Sequence, residues 1–435
     1  MRRFILGICL VFAGGIASAA VEIQTITTPE GIDAWVVEER SLPFIAMEVR
    51  MEGGANLDRP GKRGAVNLMM ALLEEGSADM DAREFQEARE SLAASFTFRA
   101  YDDTVTVSTR FLTEKSDEAI ALLRQALVEP RFDPDAIERV RAQVLAGIEA
   151  DAKNPSRIAG DTFYAMAFPD HPYGSDMDGT AETVAALTRD DLLQAHRDTV
   201  TRAAIHVSVV GDVNSEEAAR LVDMLLADLP AEAPEQPGHV EFGLEGGVTV
   251  VDFPTPQSVA LFGHDGIERD HPDFFAAYVL NHILGGGSFE SRLMNEVREK
   301  RGLTYGISTF LVPRERTEMV LGQVASSNDR IAEAIEVIRA EWSRIAEDGV
   351  TQDELDAAKT FITGEYPLRF DGNGPIADIM VGMQQVGLSP EYVVNRNDFI
   401  EAVTLEEINR VAAELLDADA LHFVIVGQPE GLETN

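Results

Sequence analysis

Hydrophobic and polar positions along this 435-residue chain switch between two periods. "AWVVEERSLPFIAMEVRMEGG" and "GVTVVDFPTPQSVALFGHDG" alternate, and each predicts two β-strands. In "GAVNLMMALLEEGS", Gly64 to Ser77, the apolar residues Val66, Met69, Met70 and Leu73 recur at helical spacing, with Leu68 and Leu72 beside them. That spacing predicts an amphipathic helix closed at Gly76. "TVTVSTRF", Thr104 to Phe111, alternates cleanly. It fits a half-buried strand, or an edge strand onto which an extended peptide adds through backbone hydrogen bonds.

The whole pattern then repeats. "LTRDDLLQAHRDTVTRAAIHVSVVGD" can be laid over "VTLEEINRVAAELLDADALHFVIVGQ". Thr188 and Thr404, and likewise Gly211 and Gly427, are 216 residues apart. "DPDAIERVRAQVLAGI" from Asp133 resembles "TQDELDAAKTFITGEY" from Thr351. Thr188 and Thr404 each precede an acidic first turn, the signature of a capped helix start. The Pro-rich stretch Pro230 to Gly238 reads as a linker. The expected fold is α+β, with two duplicated domains, each a mostly antiparallel sheet with helices packed on one side. The expected boundaries are 20–229 and 245–435, joined by a linker at 230–244.

A content of 45% hydrophobic and 26% charged residues excludes a disordered chain and leaves ample material for two cores. The first 19 residues set Arg2 and Arg3 before an apolar run and close on Ala17-Ser18-Ala19. This is the pattern of a secretory signal peptide, so the mature chain is expected to be exported, periplasmic or secreted, with no membrane anchor after cleavage. The single cysteine, Cys9, lies in that segment, which leaves the mature chain no disulfide, thiolate ligand or thiol nucleophile. A formal net charge of −39 makes nucleic acid a poor partner and reads as a solubilising surface.

Several blocks in order carry a family resemblance: "GGAN" at Gly53, "RPGKRGAVNLMMALLEEGS", "FPDHPYGSDMDGT" at Phe168, "VVGDV" at Val209, "LGGGSFESRL" at Leu284 and "REKRGLTYGIS" at Arg298. Over essentially the whole mature length the chain resembles the pitrilysin/insulinase-type zinc peptidases, and among them the short members similar to mitochondrial processing peptidase. The resemblance implies a clamshell of peptidase-like domains. In active members a helix carries His-x-x-Glu-His, with two zinc ligands on one face and a glutamate that activates the metal-bound water. A later helix supplies a third ligand. Aligned on Gly64 and Gly76-Ser77, those positions fall on Asn67, Met70 and Ala71, and the later ligand falls at Ala146-Gly147. None of these is a usable zinc ligand, and Met70 cannot act as a base. The eight histidines do not compensate, since no two lie three or four apart. His282, on the corresponding early helix of the second half, is the one worth following.

The resemblance also implies a substrate-side role for Arg301 and Tyr305, as donors to developing negative charge, and for the Gly-rich loop Gly285, Gly286 and Gly287, as a peptide guide. From spacing alone Arg301 and Tyr305 fit a turn and a strand start better than a substrate role, and the Gly-rich loop fits a helix–helix turn equally well. The expected function is a non-catalytic subunit, inactive alone, of an exported heterodimeric zinc metallopeptidase. It has no cofactor of its own. Zinc is expected in a catalytic partner with the intact motif, and a peptide is the substrate. The alternatives are a peptide-binding or scaffold protein with no hydrolytic role, and an independent peptidase with an unrecognised metal site.

Overall fold

A computed structural model of the chain describes residues 22–432, so the signal-peptide reading of residues 1–19 falls outside the described residues. The N-terminal half forms a six-stranded sheet. Its spatial order is Gln24–Thr27, Asp33–Glu38, Ile205–Gly211, Phe44–Glu52, Thr104–Leu112 and Ser95–Ala100. The C-terminal half forms a five-stranded sheet in the order Ile307–Pro313, Glu318–Ser327, Gln257–Asp265, His422–Gly427 and Gly247–Asp252. In each half the last strand returns to insert into the sheet, and its pair with Asp33–Glu38 in one half and Gly247–Asp252 in the other is the single parallel one. All other pairs in the two sheets are antiparallel. The strand Thr104–Leu112 lies inside its sheet, paired with Phe44–Glu52 and Ser95–Ala100, so its reading as an edge open to a peptide is overturned. Its Val105, Val107 and Phe111 are buried in the core.

Strand alternation decides what each face meets. Ile45, Met47, Val49 and Met51 point to the core built with the half's own helices. Ala46, Val37 and Val210 point the other way and pack on Ile376, Ala377 and Met380. Those last three belong to Asn373–Gln385, a helix of the C-terminal half. The arrangement is reciprocal. Pro155–Ala167, from the N-terminal half, lays Ala159 and Phe163 against Leu321, Val424 and Val426 of the second sheet. Each half therefore keeps its own helices on one face, and one helix from the other half covers the opposite face.

The duplication is visible in local chemistry. Thr188 and Thr404 both form complete capping boxes, with Asp191 and Glu407. Gly211 and Gly427 end equivalent strands at φ +148° and +154°. A Cβ there would sit 2.3 Å from the Phe44 carbonyl oxygen and 2.4 Å from the Ser258 hydroxyl, respectively, so only glycine fits. Residues 230–246 carry no helix or strand. The stretch is nonetheless fastened, with the Val240 amide donating to the Arg316 carbonyl at 2.8 Å and Phe242 packed on Phe163 and Phe168.

Candidate functional site

The helix predicted from Gly64 onward spans Ala65–Ala71. Its start is fixed by residues just before it. The Asp58 carboxylate accepts from the amides of Gly64 at 2.8 Å and Val66 at 2.9 Å, satisfying donors that a helix start leaves free. Burial pushes the Asp58 carboxyl up to about 6, against the lowering effect of those amides and of Arg63. Gly64 takes φ +94°, and a Cβ there would lie 2.5 Å from the Asp178 carbonyl oxygen. Arg63 ties the neighbouring loop in place. It donates to the carbonyls of Asp176 at 3.0 Å and Ser175 at 2.9 Å, and pairs with Asp102 at 3.3 Å.

On this frame lie the residues that the resemblance aligns with a zinc site. The Asn67 amide nitrogen donates to Asp178 at 2.8 Å. Met70 is buried in the core beside Met69 and Leu73. Burying such a side chain contributes about 1.5–3 kcal/mol. Ala71 and Gly147 both lie exposed, and nothing comes within 4 Å of a Cβ built on Gly147. The residues present do not fit zinc: one amide is already committed, one thioether faces the core, and the other two positions lack donors. Among the described residues, no three His, Cys, Asp or Glu side chains gather as a metal-holding group.

The C-terminal candidates lie in the other half, and no hydrogen bond or ion pair joins them to Asn67. Tyr305 projects into solvent, 88% exposed. Arg301 is half-exposed and held at home. Its guanidinium donates to the Glu296 carboxylate at 2.6 Å and the Glu296 carbonyl at 2.8 Å. Hydrogen bonds from Lys300 and Arg301 hold the Glu296 carboxyl down to about 2, so it is a carboxylate at neutral pH. Gly285 and Gly286 end a π-helical turn, His282–Gly286, that continues the helix Phe274–Asn281, and Gly287 caps it. Gly285 is buried, and a Cβ there would meet the Thr309 hydroxyl at 2.5 Å. Gly286 is exposed, and the Gly287 amide donates to the His282 carbonyl at 2.8 Å. His282 packs its ring 5.1 Å from that of Phe361, and burial lowers its basicity.

A cleft of about 960 Å³ lies where the halves meet. Two hairpin turns interlock there. Arg314 of the C-terminal half pairs with Asp102 and stacks 4.0 Å over the Tyr173 ring. Arg316 pairs with Asp103 at 3.6 Å, and the Tyr173 hydroxyl donates to Asp103 at 2.6 Å. Further along, Arg157 bridges Asp151 at 3.4 Å and Asp176 at 2.7 Å. Burial and the neighbouring Asp176 push Asp161 up to about 6. Arg63, Asp102 and Arg314 escaped the sequence reading. The available signal was the pair of oppositely charged turns, "AYDDT" at Ala100 and "PRERT" at Pro313.

Two family descriptions match the chain in tandem: "Insulinase (Peptidase family M16)" over residues 36–181 and "Peptidase M16 inactive domain" over residues 186–362. The chain is 25% identical to the "Non-peptidase homolog YmxG" of Helicobacter pylori, over 98% of each chain. Its structure is similar to that of a peptidase M16 inactive domain from Pseudomonas fluorescens, with a TM-score of 0.88 and 27% identity, over 95% of this chain and all of that one. A protease structure from Helicobacter pylori shares the fold at a TM-score of 0.83 and 18% identity, covering 94% of this chain and all of that one.

Proposed function

We propose that this chain, which belongs to the insulinase-type M16 peptidase family as an inactive member, is the non-catalytic subunit of an exported heterodimeric zinc metallopeptidase. The observation that carries this reading is the refitted helix. Asn67 is spent on Asp178 and Met70 on the core, so neither metal nor base comes from this chain. A partner chain with His-x-x-Glu-His supplies both. This chain closes the peptide chamber and offers Tyr305 and Arg301 as donors to the substrate carbonyl. Tyr305 is free to do so as it stands. Arg301 shares its charge with Glu296 and reaches a substrate only by loosening that pair. Export rests on the sequence of residues 1–19.

The test is to purify the mature chain alone and with its candidate partner, then measure zinc content and cleavage of an unstructured peptide. Only the pair is expected to cleave, with zinc in the partner, and Arg301→Ala and Tyr305→Phe in this chain are expected to lower kcat. Cleavage or stoichiometric zinc in the lone chain, or full activity in the doubly substituted pair, counts against the reading. Recovery of an unprocessed chain from the cytosol counts against export. The Arg301–Glu296 pair favours a second reading, a peptide-binding or scaffold protein with no hydrolytic role. Peptide binding by the lone chain, with no gain of cleavage by any partner, selects it.

A further inference from the structure

A groove of about 380 Å³ lies in the C-terminal half, between the helices Phe274–Asn281, Asn373–Gln385 and Tyr392–Ala402. Its size is at the small end of ligand pockets, which run from roughly 300 to 1,000 Å³. Three arginines line it: Arg269, Arg369 and Arg396. The chain has 75 acidic residues and only 36 basic ones, so a cation here ordinarily finds a carboxylate. Among the described residues, none of these three guanidiniums has a carboxylate at ion-pairing distance. The one carboxylate in the lining, Asp378, is engaged by Arg50 at 3.3 Å.

Arg396 makes the case sharpest. It is only 4% exposed. Its guanidinium donates to the Ile362 carbonyl at 3.0 Å, to the Asn397 side-chain oxygen at 3.3 Å and to the Tyr278 hydroxyl at 3.4 Å, and lies 4.6 Å from the Tyr366 ring centroid. All of these partners are neutral and leave its charge without a counterion, and a buried charge without one is costly. Arg269 is held flat by aromatic rings, 4.3 Å from the Phe274 centroid and 5.6 Å from that of Tyr392. It gives one hydrogen bond to the Tyr392 hydroxyl, at 3.2 Å. Arg369 is exposed at the rim. The lining also includes an apolar stretch: Ile379, Met383, Val386 and Leu388. Guanidiniums and apolar side chains lining one groove describe an amphipathic anion.

We infer that this groove binds a carboxylate carried on an aromatic or aliphatic body, with Arg269, Arg369 and Arg396 facing the carboxylate and the Ile379–Leu388 wall taking the apolar part. Such a group is the C-terminal residue of a peptide or a free apolar acid. The site is separate from the Tyr305 and Arg301 positions, and the inference stands whether or not the chain pairs with a catalytic partner.

The experiment is calorimetric titration of the full mature chain with N-acetyl-phenylalanine, N-acetyl-phenylalaninamide, octanoate and inorganic phosphate. The acid is expected to bind roughly 10–100-fold more tightly than the amide, the span of a charge-assisted hydrogen bond. Arg369→Gln and Arg269→Gln are each expected to remove most of that difference, with melting temperature showing that both variants fold. Whichever of N-acetyl-phenylalanine and octanoate binds better identifies the source, a peptide terminus or a free acid. Equal binding of acid and amide, phosphate binding as tight as N-acetyl-phenylalanine, undiminished binding in the Arg269→Gln/Arg369→Gln double variant, or no binding of either acid would each overturn the assignment.

Discussion

Beside the helix that crosses from the N-terminal half, the groove is lined by Asp151, Asp161, Asp176 and Asp178, with Arg157 among them. Beside the helix that crosses from the C-terminal half, a second groove is lined by Arg269, Arg369 and Arg396, set among tyrosines and apolar residues. The 216-residue offset places Asp176 against Tyr392. Each groove runs beside one of the two crossing helices, yet the two have opposite charge. Positions that packing or backbone geometry fixes have stayed alike in both copies, as Thr188 and Thr404, or Gly211 and Gly427, show. Positions that face an open groove meet solvent and carry no such constraint, so they have diverged in charge and shape.

The sharpest way to break this comparison is through the crossing helices. Phe163 seats one helix on the second sheet, and Met380 seats the other on the first. Phe163→Ala should lower stability by about 3–5 kcal/mol and Met380→Ala by about 2–5 kcal/mol. Because each sheet depends on the other half for one face, calorimetry should show a single unfolding transition in the wild type. Two separate transitions would mean that the halves are independent and the reciprocal packing is incidental.

Next in size is the helix Ala65–Ala71. Met70→Glu places a carboxylate in the core without a partner and should cost about 3 kcal/mol in denaturant unfolding. Ala71→His, at an exposed position, should stay within about 0.5 kcal/mol. If Met70→Glu were equally silent, the helix would still hold the open face of a metal site rather than a packed one.

A third test uses the buried carboxyl of the first sheet. Glu48 lies on the face covered by the crossing helix and accepts from the Ser108 hydroxyl at 2.6 Å. Burial pushes its carboxyl up to about 7, helped by Asp378 on the helix and opposed by Ser108, Arg50 and Arg99. The folded value exceeds the unfolded one, so the folded chain binds the extra proton. That contribution is complete below about pH 4.5 and is lost as pH rises through about 7, a fall of up to about 3 kcal/mol. Glu48→Gln should flatten this part of the stability–pH curve. An unchanged slope would place the titration elsewhere. The smallest effect belongs to Tyr305→Ala, which should leave the melting temperature unchanged because the side chain is almost wholly in solvent.

Much of this architecture can be read from local pattern. The capping threonines, the period-two runs and the 216-residue spacing are local or repeating signals, and each recurs in the structure as a helix start, a strand or a matched pair. The strand Thr104–Leu112 shows the limit of such signals. Its alternation fits an edge or an interior position, and only its pairing on both sides decides between them. Arg63 shows a different limit. Four of its hydrogen-bond partners, Asp102, Pro172, Ser175 and Asp176, lie more than 35 residues away in sequence, so no window around "KRG" reveals it as a hub.

Sequence alone determined that the chain is a duplicated α+β protein and that Asn67, Met70, Ala71 and Gly147 stand where the family resemblance puts the metal and base positions. Both follow from residue identity at fixed spacing, which folding does not alter. Tertiary structure alone decided which half covers each sheet, where Asn67 and Arg301 spend their hydrogen bonds, and that three arginines without counterions meet in one groove. Those outcomes depend on contacts between residues far apart in the chain, and such contacts exist only once both halves have closed on each other's helices.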